Sequence, residues 1–152
     1  MAITTAEARA RILDELAAAI DQLGMAAASL GEAYEELDEA TADRMETELF
    51  RPVQKAFGRA KRTHSQFASR VGMPSGAWQP PAAAHGTRGA QALIERAVDS
   101  ADEADRLLAE LQDSMLPIEA GDPELRAGLS EVRDLIGHLA EHARTLVRGI
   151  GR

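Results

Sequence analysis

The chain contains no cysteine, and only 3% of its 152 residues are aromatic. The absence of cysteine excludes disulfides, thiolate catalysis and Cys-based zinc sites, and it is compatible with a reducing compartment. A core therefore has to be built from aliphatic and small side chains, since 45% of the residues are hydrophobic. No run approaches the roughly 18 apolar residues of a membrane span, and charges interrupt the N-terminal stretch that a secretory signal would need. We expect a cytoplasmic protein with a single domain over residues 1–152.

Apolar residues recur at alternating steps of three and four residues in four stretches of the chain. This spacing places them along one side of a helix, where a neighbouring helix can cover them. The pattern predicts an all-α four-helix bundle, with helices at about residues 5–39, 42–71, 88–115 and 123–149. The four stripes are Leu13, Leu16, Ile20, Leu23, Ala27, Leu30, Tyr34 and Leu37; Val53, Phe57, Ala60, His64, Phe67 and Val71; Ile94, Ala97, Ala101, Ala104, Leu108, Leu111 and Met115; and Leu125, Leu129, Val132, Ile136, Leu139, Ala143, Leu146 and Ile150.

Two helix starts carry clear capping signals. Thr4 or Thr5 can accept a hydrogen bond from an early backbone N–H of the first helix, and Glu7 favours its positive end. Asp122 is followed by Pro123 and an acidic residue, which predicts the start of the fourth helix.

The connection between the first two predicted helices contains neither Gly nor Pro. Thr41 or Asp43 can cap a new helix, which favours a hairpin. The alternative is one continuous helix kinked at Pro52, because apolar residues step by four from Leu37 to Phe57 without interruption.

A Gly- and Pro-rich connection at about residues 72–87 joins the second and third predicted helices. Fully extended, its roughly 16 residues reach over about 50 Å, so they can run the length of the bundle and join parallel helices. The sequence leaves the bundle topology open at this point.

Small residues flank the first stripe on both sides, among them Gly24 and Gly31. Each glycine costs about 1 kcal/mol of helix stability relative to alanine, so we expect close packing at both. Because this helix can contact two or three neighbours, we also expect a homo-oligomer.

Charge is segregated along a chain whose net charge is −8. Residues 49–94 contain seven Lys or Arg and no acidic residue. At about 100° per residue, five of these bases share the outward side of the second predicted helix. This basic face consists of Arg51, Lys55, Arg59, Arg62 and Arg70.

The basic face has two interpretations. It is a solvated surface whose charges balance acids on the first helix or on a second subunit, or it binds an anionic partner. Nucleic acid is disfavoured, because the protein is acidic overall and no aromatics lie among these bases. Membrane binding would require Phe57 and Phe67 to leave the core. An acidic protein, including another copy of this chain, is therefore the candidate partner.

Trp78 and His64 are the remaining singular residues. Trp78 lies in the Gly- and Pro-rich connection, where it either seals the bundle or serves as an exposed anchor for a partner. His64 interrupts the second stripe, and we expect a neutral core histidine there.

Residues 138–142 read H-x-x-E-H and resemble the motif of the inverted zinc metallopeptidases over these five positions. In that family two histidines hold zinc and the glutamate activates its water. The family's downstream acidic ligand and mixed α/β domain are missing from this sequence. We therefore interpret the match as chance, with His138 and His142 as surface residues and weak metal candidates. We expect Asp134 to pair with His138.

Other catalytic and cofactor patterns are missing from the sequence. No Glu is followed by His three residues later, which argues against a ferritin-like di-iron site. No nucleophile elbow or phosphate-binding loop is present, and we expect no cofactor. The sequence favours a non-enzymatic helical-bundle interaction or scaffold protein that self-associates. The alternative is a bundle that binds a small ligand or metal, which would need a polar cavity near His64 instead of a filled core.

Overall fold

The computed structural model describes residues 3–79 and 89–150, and over these residues it is helical without any strand. This confirms the all-α bundle. The elements are α1 (Thr5–Glu35), α2 (Glu39–Met45), a π-helical turn (Glu46–Phe50), α3 (Arg51–Arg70), α4 (Ala90–Asp113), α5 (Leu116–Glu119), α6 (Pro123–Ile136) and α7 (Leu139–Ile150). None of these helices combines the length and the apolar character that a membrane crossing requires.

Four helical arms form the bundle: α1, the continuous helix from α2 to α3, α4, and the pair α6 and α7. The arm α1 packs against α3 and α4, while α6 packs against α3 and α7 against α4. One core cluster joins the first half of α1 to the second halves of α3 and α4 and to α6. The other joins the second half of α1 to the start of the second arm, the start of α4 and α7.

This distribution of core residues fixes the direction of each arm. Neighbouring arms are antiparallel, and the parallel helices α3 and α4 lie diagonally across the bundle. The connection from Val71 to Gly89 therefore joins opposite ends of the bundle, as the long-crossover possibility requires.

The hairpin between the first two arms is confirmed, and the continuous helix is wrong. The first helix ends at Glu35, earlier than expected, and a new helix starts at Glu39. Its cap is Asp38, whose carboxylate accepts from the N–H of Thr41 at 2.9 Å. Thr41 and Asp43 are therefore not the caps, although both carry the residue types that helix starts favour.

The π-helical turn explains how Pro52 fits inside a long helix. Proline lacks an N–H and crowds the carbonyl four residues before it, which here belongs to Glu48. The structure widens the turn immediately before the proline, and the N–H of Arg51 donates to the carbonyl of Glu46, five residues back. The helix thus accommodates Pro52 by a local widening between α2 and α3, where a kink was expected.

The two strongest start signals are confirmed. Thr4 and Glu7 form a capping box, in which each side chain bonds the backbone N–H of the other residue. Asp122 accepts from the N–H of Leu125 at 2.8 Å and starts α6.

The fourth predicted helix is two helices, which corrects the prediction. It breaks at Gly137 and His138, where the N–H of Gly137 donates to the carbonyl of Asp134, three residues back. Gly137 lowers helix propensity at this point, and α7 begins anew at Leu139.

Two stripe residues lie outside the core, against expectation. Tyr34 is 42% exposed because α1 ends one residue later. Met115 is 47% exposed, since it leaves α4 in the left-handed region at φ 68° and leads into the short helix α5. Leu116 and Pro117 fill that part of the core instead.

The small residues of α1 contact helices of the same chain. Ala19, Ala26 and Ala33 are fully buried. Gly24 is also buried, but a Cβ on Gly31 would meet nothing within 4 Å, so the expected packing reason is wrong there. A second chain is not needed to cover α1, and homo-oligomerisation stays a prediction that needs another surface.

Candidate protein-interaction surface

The basic face lies on the outer side of α3, between its contacts with α1 and α6. Arg51, Lys55, Arg62 and Arg70 are exposed, and Arg59 is half-buried. Their neighbours divide them into two groups with different chemistry.

Arg59 is fixed by contacts to α6 and to its own helix. Its Nε donates to Glu131 Oε2 at 2.7 Å, and its Nη1 donates to Thr63 Oγ1 at 3.0 Å. The Thr63 hydroxyl donates in turn to the carbonyl of Arg59 at 2.8 Å. These bonds fix the guanidinium at the junction of α3 and α6.

Arg70 forms a bidentate pair with Asp122 at the start of α6, at 2.7 and 2.8 Å. Hydrogen bonding to Asp122 raises the pKa of Arg70, and the same interaction lowers the pKa of Asp122. Within the basic face, the charges of Arg59 and Arg70 are thus balanced by acidic residues of the same chain. The balancing acids for these two bases are Glu131 and Asp122, on and at the start of α6, and this corrects the expectation that they lie on the first helix or on a second subunit.

The other three bases of the face, Arg51, Lys55 and Arg62, form no salt bridge with any residue of the described ranges 3–79 and 89–150. Two of them border a cleft of about 240 Å³ between α3 and α6. We call it the basic cleft, and its lining is Gln54, Lys55, Gly58, Arg59, Arg62, Glu131 and Leu135.

Sequence reasoning missed the residue that brings α6 close to α3. A Cβ on Gly128 would lie 2.7 Å from Thr63 Cγ2 and 3.0 Å from Thr63 Cβ, both shorter than van der Waals contact. Only glycine allows this approach. The stripe of the fourth predicted helix contains Leu125 and Leu129, but it gave no signal that Gly128 also faces a neighbour.

Trp78 lies half-buried against the core cluster, between α1 and α3. Its ring contacts that of His64 edge to face, with centroids 4.9 Å apart. It borders a surface cleft together with Phe57 and Gly24. Trp78 therefore covers the flank of the bundle, and this position supports the sealing interpretation over the exposed anchor.

His64 is 4% exposed, and its Nδ1 has no hydrogen-bond partner in the described part of the chain. Burial lowers the pKa of His64, while hydrogen bonding to the backbone of Leu13 and the charge of Asp14 oppose that shift. None of the five surface clefts we characterise is lined by His64. The ligand-binding alternative, which would need a polar cavity near this residue, stays a prediction.

The H-x-x-E-H residues lie at the junction of α6 and α7. His138 precedes α7, is 79% exposed, and its Nδ1 lies 3.9 Å from Glu141 Oε2. The carboxylate nearest His138 is thus that of Glu141, and the predicted pairing with Asp134 is wrong. The rings of His138 and His142 have centroids 6.3 Å apart. Over residues 3–79 and 89–150, no three His, Asp or Glu side chains converge as metal ligands.

No protein-family model, no curated protein and no solved structure matches this chain significantly.

Proposed function

We propose that this protein is a non-enzymatic helical-bundle interaction protein whose basic face on α3 binds an acidic protein surface. The observation that carries the proposal is the pair Lys55 and Arg62, two exposed cations beside the basic cleft with no salt bridge to a described residue. A cation that already has an internal partner must exchange it on binding, whereas these two can pair with a partner's carboxylates directly.

The shape of the charge distribution favours an acidic polypeptide over a compact anion. Arg51 and Arg62 are eleven residues apart on one helix, which spans about 16 Å. Glu131, already paired with Arg59, contributes a carboxylate to the cleft and lowers its net positive charge. An acidic segment lying along α3 can contact the cations at both ends without placing a charge next to Glu131.

Arg59 has a different role in this proposal. It is already paired with Glu131, so it holds α6 against α3 and defines the wall of the cleft. We therefore assign partner binding to Arg51, Lys55 and Arg62, with Arg59 as a positioning residue.

Binding of a fluorescent poly-glutamate peptide tests the proposal. Fluorescence anisotropy at low ionic strength should show binding to the wild-type protein, and the double variant Lys55→Gln, Arg62→Gln should weaken it about tenfold or more. The matched control is Arg11→Gln, Arg106→Gln, which removes the same charge from exposed positions on α1 and α4. The control should bind almost as well as the wild-type protein.

Equal weakening in both double variants would show a response to net charge alone and would contradict the proposal. Tighter binding of duplex DNA than of the peptide through Lys55 and Arg62 would assign the face to nucleic acid instead.

A further inference from the structure

A second surface groove lies between α4 and α7, on a part of the molecule separate from the basic face. Its volume is about 420 Å³, and its apolar part consists of Val98, Ala140, Ala143 and Val147. Val98 and Val147 are only half-buried. Since α4 and α7 are antiparallel neighbours, the groove runs along both helices.

The two sides of this groove carry opposite charge. Glu95, Asp99 and Asp102 line the α4 side, and Arg144 and Arg148 line the α7 side. No salt bridge crosses the groove between these residues. Partial burial raises the pKa of Asp102, and the nearby carboxylates of Asp99 and Asp105 raise it further. The groove thus has an acidic side and a basic side, and within residues 3–79 and 89–150 neither side is neutralised by a salt bridge.

We propose that the groove between α4 and α7 is a homodimer interface, in which the acidic side of one copy packs on the basic side of the other. An occupant that matches both sides must present cations opposite α4 and carboxylates opposite α7 at the same heights along the groove. A second copy does so when the two-fold axis runs along the groove. That rotation places the basic α7 side of one copy opposite the acidic α4 side of the other, and it does not shift either copy along the groove.

This orientation has two further consistent features. It places α4 of one copy on α7 of the other in antiparallel orientation, so that the two pairs form an intermolecular four-helix arrangement. It also brings Val98 and Val147 of both copies to the centre of the interface, surrounded by charge pairs. A two-fold axis perpendicular to the groove would instead place the acidic side on itself.

Two charge-reversed variants give a specific test. The first is Glu95→Arg, Asp99→Arg, Asp102→Arg, which makes both sides of the groove basic, and the second is Arg144→Glu, Arg148→Glu, which makes both sides acidic. We expect the wild-type protein to be a dimer by analytical ultracentrifugation. Each variant alone should lose homodimerisation about a hundredfold or more, because like charges then face each other. An equimolar mixture of the two should form a one-to-one heterodimer, since every facing pair is again of opposite sign.

The outcomes separate this proposal from the acidic-partner proposal, because both variants leave Lys55 and Arg62 intact. The wild-type protein provides a second readout, since its dimer should dissociate more readily as the NaCl concentration is raised. A wild-type monomer at about 100 µM, at which a micromolar dimer would be almost fully associated, would overturn the proposal. Variants that remain homodimers, or folded variants that stay monomeric on mixing, would overturn it as well.

Discussion

Gly128 of α6 packs directly against the side chain of Thr63 on α3, with no room for a Cβ between them. This contact determines the basic cleft. Arg59 lies one turn before Thr63 and Glu131 three residues after Gly128, so the close approach of the helices places the guanidinium and the carboxylate 2.7 Å apart. The Thr63 hydroxyl is bonded to the carbonyl of Arg59, and its side chain therefore cannot turn away freely.

Gly128→Ala should destabilise the protein by about 1–3 kcal/mol, because the added methyl group forces α6 away from Thr63. Gly31→Ala in α1 is the matched control, since a Cβ there meets nothing within 4 Å. That substitution should stabilise by about 0.5–1 kcal/mol through helix propensity. Urea unfolding followed by circular dichroism measures both. Stabilisation by both alanines would show that α6 does not approach α3 as closely as described.

Asp122 has two functions that substitutions can separate. Its carboxylate caps α6 through the N–H of Leu125 and pairs with Arg70. Asp122→Ala loses both and should cost about 1–2 kcal/mol. Asp122→Asn keeps a capping oxygen and Arg70→Gln keeps the carboxylate, so each should cost less than about 1 kcal/mol. The free energies of unfolding of the three variants give the comparison. Equal losses in Asp122→Ala and Asp122→Asn would exclude the capping contribution.

The lowered pKa of His64 predicts that the protein becomes less stable below neutral pH. The pKa of His64 in the folded protein is lower than the ordinary value of about 6.5, so between the folded and unfolded pKa values the unfolded chain binds a proton that the folded protein does not. The free energy of unfolding should therefore fall as the pH drops through about 6.5, by up to about 1.4 kcal/mol per unit from this residue.

The variant His64→Leu should reduce this pH dependence, because it removes the group whose pKa burial lowers. Thermal unfolding at pH 7.5 and 5.5 checks the difference, with Trp78 as a local fluorescence signal beside His64. Parallel curves for the wild-type protein and His64→Leu would show that His64 protonates equally in the folded and unfolded states.

Periodicity predicted the bundle because four apolar stripes leave few ways to bury their side chains. It also placed His64 in the core and the α3 cations outside. It failed where backbone geometry at one residue decides the outcome. The left-handed conformation of Met115 and the break at Gly137 depend on local connections that a stripe does not encode. The pairing of Arg59 with Glu131 depends on which helices are neighbours, and the 72–87 connection left that open.

The candidate surfaces were only partly visible in the sequence for the same reason. The five bases of the basic face could be found by helical spacing alone. Their division into paired and unpaired cations needs α6, because Glu131 and Asp122 reach them across the interface. The groove between α4 and α7 was missed, since its acidic and basic sides are about 45 residues apart in the chain and become neighbours only in the fold.

The most direct test of the proposed interaction is a titration of the isotopically labelled protein with the poly-glutamate peptide, followed by amide chemical shifts. We expect the shift changes to concentrate on the stretch of α3 between Arg51 and Arg62 and on α6 around Glu131. They should disappear in the double variant Lys55→Gln, Arg62→Gln. Changes confined to α4 and α7, or an unchanged spectrum at peptide concentrations that saturate the anisotropy signal, would contradict the assignment of the basic face as the binding surface.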